Sequence, residues 1–179
     1  MKLQLFIQGL CSFLCILIPA LVFGQSGYLD YTQLSNKLKE LGKNPNAKLE
    51  SYGKSYSNKD LWVLKLGDNA KPAILIVAGV DGRHHAGTMA TLGMAEKILG
   101  VDSLTQLLKS KSVFIIPNAN PDAMDAFFAR VKFEKSGNAR PTDDNRNGRI
   151  GDDSFNDLNN DGYITLVRVE TQAGDHIIS

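Results

Sequence analysis

Cysteine is the first scarcity. The 179 residues hold two, Cys11 and Cys15, and both fall within the first 24. The rest of the chain has no thiol, which excludes disulfides, thiolate metal sites and a cysteine nucleophile there. Net charge is the second: the formal value is +1, and lysine and arginine are nowhere gathered into the basic patch of a nucleic-acid interface. No nucleic-acid partner is therefore expected. Histidine is the third, with three in all, so the place of each carries information. The chain also has no dominant internal repeat and no low-complexity linker that would divide it.

A long apolar run occurs only at the start. Lys2 supplies a short basic region, Leu10 to Phe23 an apolar one, and Val22 and Gly24 are small residues at the −3 and −1 positions of a cleavage site before Gln25. The pattern is that of a secretory signal peptide over residues 1–24. An uncleaved anchor is the competing reading, but polar sequence begins directly after Gly24. The expected product is secreted or periplasmic, with no membrane association after cleavage. Residues 25–179 suffice for one domain with a sizeable core.

Along that domain, Asp30 with Gln33 reads as a capping pair for a helix carrying Leu34, Leu38 and Leu41, ended by Gly42. Ala47 to Tyr52 and Leu61 to Leu66 read as two strands of a hairpin around a polar turn. Ala73 to Val77 is an unbroken apolar run rich in β-branched residues, the pattern of a strand buried on both faces. From Thr88 the period changes, and Leu92, Ala95 and Leu99 mark a helix that Gly100 closes. Leu104 to Ser110 reads as a short helix or turn, Ser112 to Ile116 as another buried strand, followed by Asn120-Pro121-Asp122. Alternating strands and helices predict an α/β domain with a mixed β-sheet and flanking helices. Between the central strand and its helix lies Asp81-Gly82-Arg83-His84-His85. Ligands of open α/β sheets bind at the carboxyl ends of strands, and two of the three histidines sit at that point. Asp81 and His84, three apart on a turn or first helical turn, are expected to share a face, within reach of one cation, with Arg83 aimed at whatever the cation polarises.

Gly79, Arg83 and Gly87-Thr88, with the run from Ser51 to Gly67 and the Asn120-Pro121-Asp122 tripeptide, resemble the zinc carboxypeptidase family of the carboxypeptidase A and B type. The resemblance implies the first part of a zinc-carboxypeptidase-like domain, a peptide or protein substrate and a catalytic zinc held by a histidine, a glutamate and a later histidine. By position Arg83 is the substrate-contacting arginine. Asp81 stands at the first zinc histidine and His84 at the zinc glutamate, keeping one oxygen and one nitrogen donor in reversed order. His85 is a fallback ligand. His176 comes too early for the family's third ligand, and no general-base glutamate is met by Ser179. Residues 1–179 alone are thus expected to be inactive. The alternative is a non-catalytic calcium-binding or peptide-binding relative of the same fold.

The second informative region is acidic, with six aspartates and two arginines between Asp143 and Asp161. Asp143, Asn145 and Asn147 with Gly148 and Ile150 fit the D-x-[DN]-x-[DN]-G-x-I pattern of a calcium loop, and Asp157, Asn159 and Asp161 with Gly162 and Ile164 fit it again. Both loops lack a glutamate at position 12, where Ser154 and Arg168 stand. Asp152 and Asp153 lie between the loops, placed to complete the first or bridge both. A solvated pair of turns is the plain reading; two tandem matches favour Ca2+, bound weakly because several donors are neutral asparagines. The Gly137 to Pro141 lead-in resembles an acidic insertion of some bacterial carboxypeptidases, here spanning 137–168. Asn145-Arg146-Asn147 imitates a family substrate motif, but its spacing belongs to the loop. Oligomeric state is not legible.

Overall fold

The computed structural model describes residues 27–69, 71–132, 136–143, 146–151, 157, 159–164, 168–170 and 176–178. The expected signal peptide lies outside them, as do three candidate calcium donors, Asn145, Asp152 and Asp153. Among the described residues no helix is long and apolar enough to cross a membrane.

Helix α1 (Tyr31–Leu41) begins as its sequence dictates. The Asp30 carboxylate accepts the Gln33 N–H at 2.8 Å, and the Gln33 side chain accepts the Asp30 N–H at 3.0 Å, a capping box that satisfies two donors the helix leaves free. Leu34 and Leu38 are buried on its inner face, with Leu41 packed beside them. Strands β1 (Ala47–Lys54) and β2 (Asp60–Leu66) form the expected antiparallel hairpin, with a register irregularity between Ser51 and Gly53. The Trp62 indole N–H donates to Ser35 Oγ at 3.1 Å and the Tyr31 hydroxyl to the Asp60 carbonyl at 3.2 Å, fastening α1 to β2.

Strand β3 (Ala73–Val77) leads through the turn at Val80 to His85 into α2 (Ala86–Gly100). A short helix α3 (Asp102–Thr105) and a 3-10 turn (Gln106–Lys109) return the chain to β4 (Ser112–Ile116), which pairs parallel with β3 and antiparallel with β2. Helix α4 (Pro121–Phe128) follows, and a small antiparallel pair, β5 (Arg168–Glu170) and β6 (His176–Ile178), closes the order. The main sheet runs β1-β2-β4-β3, a mixed sheet with flanking helices, as the alternation of elements predicts. Helix α1 touches both α2 and α4. The core joins Leu34 and Leu38 to Leu64 and Leu66 of β2, Val113 and Ile115 of β4, Leu92, Ala95 and Ile98 of α2, and Met124 of α4. Each such leucine is worth about 1.5–3 kcal/mol of transfer free energy on burial.

Two local expectations need revision. The buried face of α2 runs through Thr88, Thr91, Leu92, Ala95 and Ile98, with Leu99 only partly covered, so the contact stripe lies one residue before the predicted end. More consequentially, β3 is not buried on both faces. Among the described residues it ends the sheet, and Ile74, Leu75 and Val77 are 45%, 61% and 45% exposed.

Candidate functional site

The turn after β3 is set by a backbone approach. Ala78 donates to the Ile116 carbonyl at 2.8 Å and Ala119 to the Ala78 carbonyl at 3.0 Å, extending the parallel pairing past the strand ends. Gly79 then takes φ +60°, so close to β4 that a Cβ there would meet Asn118 Cα at 2.9 Å and the Thr88 hydroxyl at 3.0 Å. Glycine alone meets both demands. The chain leaves the sheet here and delivers Asp81, Arg83 and His84 outside its carboxyl edge.

Those three side chains come together. Asp81 Oδ1 accepts the Arg83 backbone N–H at 3.0 Å and its Nε at 3.2 Å, and Asp81 Oδ2 accepts Arg83 Nη2 at 3.0 Å. His84 Nδ1 lies 3.5 Å from the same Oδ2. The Arg83 guanidinium, and after it the Arg83 backbone N–H, hold the Asp81 carboxyl well below the ordinary carboxylate range. The Asp81 side chain is half-buried and that of His84 largely exposed. Arg83 is therefore folded back on Asp81 in a fork-to-fork pair, the geometry a planar guanidinium favours with a carboxylate two residues away. His85, the fallback ligand, is buried, its ring packed on Phe127 at 4.3 Å between centroids and near Tyr28 and Phe128 at 5.9 and 5.6 Å. His176 lies in β6.

A polar network behind the turn was only partly legible. The Asn120 side chain caps α4 by accepting the Ala123 N–H at 3.3 Å, and its amide donates to the Val80 and Ser136 carbonyls at 3.3 and 3.0 Å. Gly82 also donates to the Ser136 carbonyl, at 3.2 Å. Asp122, buried, accepts the Ser55 hydroxyl at 2.6 Å and the backbone N–H groups of Ser57 and Ala139 at 3.3 and 3.4 Å. The β1–β2 turn, the start of α4 and the 136–139 segment are thereby tied to the strand-end turn. A cavity of about 310 Å³ opens among them, lined by Lys54, Ser55, Tyr56, Val80, Asn120, Asp122, Ser136 and Asn138. The Asn-Pro-Asp tripeptide signalled that a loop is shaped here, but nothing in the sequence pointed to Ser55 as its partner. A larger cleft of about 580 Å³ lies near Gly67, Lys71 and Lys109, at the amino end of β3 and thus at the wrong edge for a strand-end ligand.

Donor chemistry and spacing decide whether a metal suits the turn. Two ligand atoms 2.0–2.2 Å from a tetrahedral zinc stand about 3.3–3.6 Å apart. The 3.5 Å between Asp81 Oδ2 and His84 Nδ1 lies in that range, so the pair fits as two of a zinc's ligands. A catalytic zinc takes three protein ligands, and among the described residues no group of three or more His, Cys, Asp or Glu is arranged to hold an ion.

At their described residues the two acidic loops match. Asp143 accepts the N–H groups of Asn147 and Gly148 at 3.0 and 2.9 Å, and Asp157 those of Asp161 and Gly162 at 3.2 and 2.9 Å. The fourth residue of each is left-handed, Arg146 at φ +60° and Asn160 at +58°, as is the sixth, Gly148 at +86° and Gly162 at +85°. Asn147 accepts the Arg149 N–H and Asp161 the Tyr163 N–H, both at 2.8 Å. Asn159 donates to Asp161 at 2.8 Å.

A family model described as zinc carboxypeptidase matches residues 34–175. Among curated proteins, a zinc carboxypeptidase of Saccharothrix mutabilis subsp. capreolus is 30% identical over 143 residues, which is 68% of this chain and 33% of that protein. Among solved structures, the carboxypeptidase A of Helicoverpa armigera superimposes with a TM-score of 0.53 at 25% identity, over 57% of this chain and 27% of its own. Bovine thrombin-activatable fibrinolysis inhibitor, solved in complex with tick carboxypeptidase inhibitor, superimposes at 0.53 and 21% identity, over 69% and 40%; at that identity the likeness is one of fold. The chain spans about a third of the length of the curated relative it matches.

Proposed function

The chain belongs to the zinc carboxypeptidase family, and from that membership we propose that it forms the amino-terminal part of a secreted peptide hydrolase in which Asp81 and His84 are two of the zinc ligands. The observation that carries the assignment is the oxygen and nitrogen donor pair, 3.5 Å apart at the carboxyl end of β3. Bound there, zinc would acidify a water and polarise the scissile carbonyl of a peptide. Arg83 orients the Asp81 carboxylate with which it is paired, and by its family position it would meet the carboxylate or carbonyl of a substrate on turning away from that pair. The Asn120 and Asp122 network holds the turn in that position. The described residues supply two of the three protein ligands a catalytic zinc takes, and residues 1–179 are expected to turn over no peptide on that account. Zinc calorimetry tests the ligand pair: heat is expected from the parent chain and none from Asp81→Ala or His84→Ala with unchanged circular dichroism. No heat from the parent, or equal heat from all three, would overturn the pair. Turnover of carboxy-terminal peptide substrates that disappears on Arg83→Ala would overturn the inactivity.

A second reading rests on the same turn. Arg83 engages both oxygens of Asp81, so the cluster is already charge-compensated, which suits a non-catalytic relative that binds peptide or calcium. A parent chain that takes up no zinc and yet binds carboxy-terminal peptides would establish it.

The acidic loops are proposed to bind Ca2+ weakly. What supports this is that two sequence-matched loops match at their described residues, with Asp143, Asn147, Asp157, Asn159 and Asp161 in ligand positions. Calorimetry with calcium should show millimolar-range binding that Asp143→Ala and Asp157→Ala each reduce; no heat, or heat unchanged in both variants, would leave the loops as turns.

A further inference from the structure

The first acidic loop holds the sole Asn-Gly dipeptide of the sequence, Asn147-Gly148, and charged and polar groups bracket its reactive atoms. Asp143 Oδ2 accepts the Gly148 N–H at 2.9 Å. A carboxylate base is thereby placed on the main-chain nitrogen that can close a ring onto the Asn147 carboxamide. Asp143 Oδ1 accepts the Asn147 N–H at 3.0 Å, which fixes the carboxylate in that position. Asn147 Oδ1 accepts the Arg149 N–H at 2.8 Å. This donor is aimed at the oxygen that gains negative charge once its carbon is attacked. Gly148 stands at φ +86° with nothing within 4 Å of a would-be Cβ, a conformation and an openness that glycine allows. Both residues are exposed, so water reaches them.

We propose that Asn147 is a site of self-catalysed deamidation, which converts it to aspartate or isoaspartate. The Gly148 nitrogen attacks Asn147 Cγ and passes its proton to Asp143, while the Arg149 N–H holds the oxyanion that forms on Oδ1. The Cγ–Nδ2 bond then breaks, and ammonia leaves with the proton that Asp143 returns, giving a succinimide. Water opens this ring. Attack at Cγ yields aspartate, and attack at the main-chain carbonyl yields isoaspartate; nothing is oxidised or reduced. The second loop is the contrast. Asp157 accepts the Gly162 N–H and Asp161 the Tyr163 N–H in the same way, but Asp161 is already a carboxylate and has no ammonia to lose. Deamidation gives the first loop the acidic residue that the second carries at the same position. The chemistry does not rest on calcium, since a loop that binds none converts all the same.

Isotope labelling tests it. The folded chain is held at neutral pH in water enriched in heavy oxygen and then digested, and the peptide carrying residue 147 is followed by mass spectrometry. Loss of the amide nitrogen and uptake of heavy oxygen at 147 are expected, divided between aspartate and isoaspartate. Asp143→Ala, and Asp143→Asn, which keeps an acceptor oxygen without the base, should each convert at least about tenfold more slowly. Asp157→Ala, the equivalent loss in the second loop, should convert at the parent rate. No heavy oxygen at 147 would overturn the proposal, as would a folded chain that converts no faster than the same chain in urea. Conversion of either Asp143 variant at the parent rate, or equal slowing by Asp157→Ala, would overturn it too.

Discussion

Replacing Gly79 by alanine should be costly, and the cost can be built from its parts. At φ +60° an L-residue pays about 1–2 kcal/mol for the left-handed conformation. The new Cβ would stand 2.9 Å from both Asn118 Cα and Asn118 Oδ1. Neither can retreat cheaply: the first is backbone beyond β4, and the second accepts the Asn120 N–H at 2.8 Å. Overpacking of this sort adds about 1–3 kcal/mol. The sum is about 2–5 kcal/mol, a large share of the ~5–15 kcal/mol that a domain commands. Gly93→Ala is the matched control. It lies inside α2 with nothing within 4 Å of its would-be Cβ, so it should gain about 0.5–1 kcal/mol from helix propensity. Urea unfolding followed by circular dichroism measures both. A Gly79→Ala chain within about 0.5 kcal/mol of the parent, beside a stabilised Gly93→Ala, would show that the turn relaxes away from Asn118. The proposed positioning of Asp81 and His84 would then lose its anchor.

Other outcomes are fixed by single interactions. Asp30→Ala removes one side of the capping box and should cost about 1 kcal/mol by the same unfolding measurement. Asp122→Ala leaves the Ser55 hydroxyl and two N–H groups without their buried acceptor, which should cost about 1–3 kcal/mol and raise hydrogen exchange at Ala139. Glu50 is bonded by Lys48 and then Lys65, which lower its pKa to about 2. Its contribution is therefore present above the ordinary glutamate value near 4.5 and lost as pH falls from there towards 2. Glu50→Gln should flatten the stability profile over that window by lowering stability at pH 7 while leaving it unchanged below about pH 2; an unaltered acid limb would show that the exposed pairs contribute nothing.

Much of this fold needed only local chemistry. Asp30 and Gln33 specify a helix start because a capping box closes within four residues. The hairpin of β1 and β2 and the Gly79 break after β3 follow from runs and punctuation that a short window contains. The turns at Asp143 and Asp157 follow from consecutive positions too, each aspartate accepting the N–H groups four and five residues on. The family frame came from such local motifs too. What the sequence could not supply were relations between distant segments. That Ser55 meets Asp122 depends on the β1–β2 turn arriving beside α4. That His85 joins Tyr28, Phe127 and Phe128, while its neighbour His84 lies by Asp81, depends on how the turn before α2 meets the end of α4; adjacent histidines differ in surroundings only through rotation about the turn. Arg83 lies back on Asp81 because the turn brings a guanidinium within bonding distance of both oxygens, a matter of dihedral angles. The exposure of β3 is the clearest case. Its composition expresses a preference for burial on both faces, but burial is a property of neighbours, and strand order alone decided that β4 stands on one side and no described strand on the other.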